Sequence, residues 1–223
     1  MEHIEGIEDR FVNSMVSNNL SEITIDIAEA GIDQLLSNEF LKEIPILGAG
    51  FKLFAVAKNI SESFFKRKIL MFLFHLKDVP QEKRMKFISE LNQDEKSRER
   101  VGEKILIILN QLDDSKKAAI IGKLFKAAIS GHIEYSAFLR LSRIVDKVFI
   151  DDLAALKENH ALYKMNDDTK ENLATAGILK QVIQDNRSYE ETIKNKIGRN
   201  VIYPPTFEYH VNSFGKLLID YGW

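Results

Sequence analysis

The chain has 223 residues, 45% of them hydrophobic and 29% charged, and a formal net charge of −2. That composition suits one sizeable core, in one large domain or a main domain with a small appendage. There is no cysteine, which excludes disulfides, thiol catalysis and thiolate metal sites and fits a reducing cytoplasm, and only four prolines, so helices are open almost everywhere.

The opening "MEHIEGIEDRF" is acidic and lacks a basic stretch followed by an apolar one, so no secretory signal is read there. The longest apolar or small runs, "IPILGAGF" (44–51) and "ILMFLF" (69–74), fall short of the roughly 18 residues a bilayer span needs. The expectation is a soluble, cytoplasmic protein. Charge is uneven along the chain. Residues 1–43 carry ten acids against Arg10 and Lys42, a balance of −8, and residues 44–86 carry nine bases against Glu62, Asp78 and Glu82, a balance of +6. Either the two segments dock on each other or they form separate solvated faces.

A helical period runs through most of the chain. In "EGIEDRFVNSMVSN" the stripe is Ile4, Ile7, Phe11, Val12 and Met15; in "GIDQLLSNEFLKEI" it is Ile32, Leu35, Leu36, Phe40 and Leu41. "SESFFKRKILMFLFHLKD" is apolar nearly all round from Ile69 to Phe74, which marks the central helix of a bundle. "DVPQEKRMKFISELN" has Asp78 as a cap with Pro80 in the first turn. "DEKSRERVGEKILIILNQL" begins at a capping Asp94, and "SKKAAIIGKLFKAAISG" runs from Ser115 to a left-handed stop at Gly131. "EYSAFLRLSRIVDKVF" and "DDLAALKENH" follow after short turns, as antiparallel neighbours do. Beyond about residue 160 the texture changes. "NDDTKENLATAGIL" reads as a helix from Asp167 or Asp168 to Gly177; "ILKQVIQ", "NVIYPP" and "FEYHVN" read as strands, and "SFGKLLIDYGW" as a closing helix. The fold class is therefore mainly α: a multi-helix bundle over 1–160 with a small α+β winged-helix-like appendage over 161–223.

Sites of chemistry are sparse. Gly48-Ala49-Gly50 has Leu53 where a dinucleotide fingerprint needs its third glycine and no strand before it, so these residues read as a loop packing Phe51, Phe54 and Ala55 inward. Gly131 aligned with the turn glycine of a calcium loop leaves Lys126, Ala128 and Ala137 where oxygens belong. His3, His75, His132, His160 and His210 show no metal-ligand spacing, and His75 among apolar neighbours reads as a satisfied interior side chain. Asp113-Asp114, Asp151-Asp152 and Asp167-Asp168 each stand at a predicted helix start, where a carboxylate caps free N–H groups. No catalytic residue, metal site or cofactor is assigned, and the expectation is a protein that is not an enzyme.

Two binding readings remain. Phe64, Phe65, Met71, Phe72 and Phe74 read first as packing of the central helix. Beside Lys58, Lys66, Arg67 and Lys68 they also form a basic-aromatic hairpin (44–86) that could meet a protein or an anionic membrane surface, with the acidic residues 1–43 covering it. The alternative is nucleic-acid contact through Lys170, Lys194, Lys196 and Arg199, a weakly positive set diluted by acids. "IIGKLFKAAISGHIEYSAFLRLSRIVDKVFIDDLAAL" (120–156), with "LATAGIL" (173–179) and "YHVNSFGKLL" (209–218), resembles the abortive-infection alpha group of bacterial phage-resistance proteins. The resemblance covers the C-terminal half. It implies an intracellular role in limiting infection by binding or membrane disturbance, with a protein partner or self-association, and carries no catalytic residues.

Overall fold

The computed structural model describes residues 6–22, 43–47, 62–91, 95–158, 162–184, 192–196, 198 and 206–223. Among them the order is α1 (Ile7–Met15), a 3-10 turn (Asn18–Glu22), α2 (Glu62–Phe74), α3 (Gln81–Leu91), α4 (Glu95–Gln111), α5 (Ser115–Ile129), α6 (Tyr135–Lys147), α7 (Ile150–Glu158), α8 (Asp167–Thr175), β1 (Leu179–Gln184), β2 (Thr206–Val211) and α9 (Ser213–Tyr221). The chain is mainly helical with one small antiparallel ribbon near its end, as the hydrophobic period predicts. The expected helix over Ile32–Leu41, the loop at Gly48–Gly50 with Phe51, Phe54 and Ala55, Lys58, the cap at Asp94, the strand "NVIYPP" and Arg199 lie outside the described residues. Among the described residues no helix is long and apolar enough to cross a membrane.

Local signals set the helix limits. Asp114 accepts the Lys116 N–H at 2.7 Å, Asn166 that of Thr169 at 2.7 Å and Asn212 that of Gly215 at 2.9 Å, so each carboxylate or amide satisfies a donor the helix cannot. Both α5 and α8 stop at a left-handed glycine. Gly131 and Gly177 have φ of +75° and +87°, and the following N–H turns back, His132 to Ala127 and Ile178 to Leu173. The cap expected at Asp78 is a correction. It stands too far upstream; the Pro80 carbonyl accepts the first N–H groups of α3, and Asp78 meets Lys126 Nζ at 3.2 Å instead.

The central helix is α2. Ile69, Leu70, Met71, Phe72 and Leu73 are buried, and Phe74 half-buried. The Phe72 ring lies 5.7 Å from Phe11 of α1 and 5.5 Å from Phe125 of α5, and Phe125 lies 5.1 Å from Phe138 of α6. α2 and α5 come close because Gly122 has no side chain: a Cβ there would stand 2.7 Å from the Phe72 carbonyl oxygen and 3.1 Å from its Cα.

Residues 6–22 of the acidic N-terminal segment are part of the core and no detachable cover. Phe11, Met15 and Leu20 are fully buried in the same core as α2, and Ser14 Oγ accepts the Ile46 N–H at 3.0 Å, tying residues 43–47 to α1. The core also runs past residue 160, through Leu173, Ile178, Leu179 and Leu218. The change of texture there marks a change of secondary structure within one continuous core.

The Gly122 contact predicts that Gly122→Ala lowers stability by about 1–3 kcal/mol through overpacking. Alanine's helix preference, worth about 1 kcal/mol over glycine, should not offset this. Urea midpoints would check it; a variant as stable as the parent would mean the two helices part freely.

Candidate functional site

The bases of the predicted hairpin surface are mostly engaged. Lys66 pairs with Glu62 at 2.7 Å, one turn earlier on α2, and Arg67 is half-buried. Lys68 is a correction: it is fully buried, not displayed. Its Nζ donates to the carbonyls of Asn110, at 3.4 Å, and Leu112, at the C-terminal end of α4. A helix apolar all round leaves a lysine on it nowhere to go but inward, where its stem packs and its ammonium finds a helix end.

Two further cations are buried the same way. Arg84 donates from Nε to Val79 O at 3.0 Å, from Nη1 to Met15 O at 2.6 Å and from Nη2 to Ser17 O at 3.0 Å, around the C-terminal end of α1. Lys117 donates to Asp146 O at 3.0 Å, in the last turn of α6, and pairs with Asp113 at 2.7 Å. Burial lowers the pKa of Lys68, against the raising fields of Asp113 and Asp146, and lowers that of Arg84. The N-terminal segment and the basic hairpin therefore do meet, through Arg84 on backbone carbonyls. Phe65, Met71 and Phe72 are buried, as the core-packing reading of these aromatics expects, and Phe64 and Phe74 are half-buried.

Of the residues read as nucleic-acid contacts, Lys170 is half-buried and pairs with Asp167 at 3.0 Å, while Lys194 and Lys196 are exposed on a helical stretch, 192–196. The acidic pair expected as a cap stands inside the first turn of α7, and there Asp152 accepts from Thr169 Oγ1 at 3.1 Å and Asn172 Nδ2 at 3.2 Å, clasping α8 to α7. The β1–β2 ribbon pairs Leu179 with Val211 through Gln184 with Thr206. Most of its residues on both faces are exposed, and Ile183 and Phe207, directly opposite each other, are 66% and 53% exposed.

A second feature went unread in the sequence. The end of α2, one face of α5 and the end of α9 enclose a cleft of about 320 Å³. α5 contributes Lys123 and Lys126, one turn apart; His75 comes from the turn after α2, and His132 from the turn after α5. The end of α9 closes it with Asp220, Tyr221 and Trp223. The His132 and Tyr221 rings stack at 5.3 Å and 8°, and Lys157 Nζ sits 5.8 Å from the centre of the Trp223 ring. The Trp223 indole nitrogen is shielded from water and has no acceptor among the described residues.

The cleft is cationic. Burial first, then the charges of Lys123 and Lys126, press the His75 pKa down to about 4 against the opposing field of Asp78. Lys123 is lowered by burial and then by Lys157 and Lys126. Lys126 has Asp78 as a partner, whereas Lys123 has no hydrogen bond or ion pair among the described residues. His75 is thus half-buried against a cleft, where the sequence reading had it satisfied in the interior. The only signal available was the Lys123–Lys126 spacing, and the remaining walls come from distant segments.

Compared with protein-family models, curated proteins and solved structures, the chain matches none.

Two outcomes follow. Arg84→Leu should lower stability by about 3 kcal/mol, because the carbonyls it serves lose a charged donor while remaining buried; chemical denaturation measures this. His75 stays neutral in the fold down to about 4 but protonates near its ordinary 6.5 when unfolded. Between those values the unfolded chain holds the extra proton, so stability falls as pH drops through that window. His75→Gln should flatten that component, read from denaturation midpoints at about pH 7 and about pH 5; an unchanged slope would refute the assignment.

Proposed function

We propose that this chain is a non-enzymatic interaction protein of the bacterial cytoplasm, of the phage-defence kind that residues 120–156, 173–179 and 209–218 resemble, and that it works by self-association through the β1–β2 ribbon. The absence of cysteine supports the cytoplasmic address. The observation that carries the contact surface is the Ile183–Phe207 pair, opposite each other and more than half exposed.

An isolated two-stranded ribbon is marginal in water, and among the described residues each of its strands presents an unpaired edge. A second copy supplies an identical edge, and antiparallel pairing about a twofold axis brings the same residues together from both chains. Lys180, Glu208 and His210 give the ribbon both signs of charge, so self-pairing does not stack like charges alone. Burying the Ile183 and Phe207 side chains from both copies supplies the apolar gain, on the order of 1.5–3 kcal/mol per side chain fully removed from water. The basic hairpin is a weaker contact surface, since Lys66 and Lys68 are engaged.

Light scattering across concentration should show a reversible dimer, and Ile183→Lys with Phe207→Lys should hold the chain monomeric with unchanged helicity. A chain monomeric at every concentration would end the self-association reading. In cells, plating efficiency of phage on expressing and non-expressing hosts tests the defence role, which the same double variant should abolish. A salt-dependent DNA shift, lost in Lys194→Glu with Lys196→Glu, would instead favour the nucleic-acid alternative.

A further inference from the structure

We propose that the cleft between α2, α5 and α9 is a binding site for a small organic oxyanion, a phosphate monoester or carboxylate on a flat apolar body, with Lys123 as its anchoring charge. This goes beyond the self-association reading and does not depend on it.

The argument starts from unmet demand. The three cations this fold buries fully are each met by oxygens: carbonyls for Lys68 and Arg84, a carbonyl and Asp113 for Lys117. Lys123 is half-buried, faces Lys126 and Lys157, and has no partner among the described residues. Like charges gathered without a counter-ion are destabilising, and groups so arranged in a concave site mark a place where a ligand completes the electrostatics. Lys126 is shared with Asp78 on the rim. That leaves Lys123 as the lysine of the cleft with no ion-pair partner among the described residues, with Lys126 and Lys157 adding their field.

The walls say what the anion is attached to. Trp223 and the stacked His132–Tyr221 pair present aromatic surface, so a flat apolar body packs there while its oxyanion faces α5. Asp220, which the end of α9 contributes to the lining, disfavours a second negative group and accepts from a hydroxyl or amine. A volume of about 320 Å³ is at the small end of ligand pockets and admits a single ring with its substituents.

The protein contains a single tryptophan, and it lines the cleft, so intrinsic fluorescence reads occupancy directly. Phenyl phosphate, benzoate and the uncharged phenol would each be titrated into the full chain. The expected result is a saturable change with one or both oxyanions and none with phenol; which oxyanion binds tells phosphate from carboxylate. Lys123→Gln should weaken binding about tenfold or more, with a melting temperature equal to or above the parent's because a like-charge contact is gone. Arg140→Gln, an exposed change on α6, should leave binding unaltered. His75 faces Lys77, Asp78, Lys123 and Lys126, and bound anion should raise its pKa from about 4, seen in histidine proton shifts. No saturable change with either oxyanion, an equal response to phenol, or parental affinity in Lys123→Gln would each overturn the assignment.

Discussion

A helix end leaves carbonyl oxygens without partners, and in a bundle those ends are driven toward the interior where water cannot serve them. Here α1 and α4 have no basic residue in their own last turn, and the missing donors come from other helices. Lys68 of α2 reaches the end of α4, Arg84 of α3 the end of α1, and Lys117 of α5 the last turn of α6. A buried charge is costly unless its geometry is met on every side, so each of these contacts also fixes register. Sliding α2 by one residue would withdraw Lys68 from α4 and leave both an ammonium and a helix end stranded.

Once the ends are fixed, the middle can be tight. Phe72 stands where α1, α2 and α5 converge, and the aromatic chain Phe11–Phe72–Phe125–Phe138 carries that packing across to α6. Glycine at 122 removes the one side chain that would hold α2 off. The same crossing places His75, at the outgoing end of α2, beside Lys123 and Lys126 on the next turns of α5. The cleft is thus a direct consequence of how closely the two central helices approach.

What could be read from the chain follows from how far each signal reaches. Caps and stops are local, so Asp114, Gly131 and Gly177 act where the sequence places them. The apolar girth of Ile69–Leu73 names the central helix without knowledge of its neighbours. Long cations are different. Lys68 beside Lys66 and Arg67 has the look of a surface cluster, and only the position of α4 turns it inward. A lysine stem is apolar enough to be buried wherever oxygens wait at its tip, and sequence alone does not say where oxygens wait. The cleft is less legible still, because α9 must fold back across the bundle to bring Tyr221 onto His132.

The contrast between the two kinds of lysine is the most informative feature of the molecule. Lys68 and Lys117 are more deeply buried than Lys123, yet each has two oxygen partners, so this fold has the means to serve an internal ammonium. At Lys123 those means are withheld: its neighbours in charge are Lys126 and Lys157, and Asp78 is turned toward Lys126 instead. A fold under stability alone has no reason to keep that arrangement, since glutamine or alanine at the same helical position would relieve the repulsion and preserve the helix. Local conflict retained beside an open, aromatic-walled cleft is where physical reasoning expects function to reside.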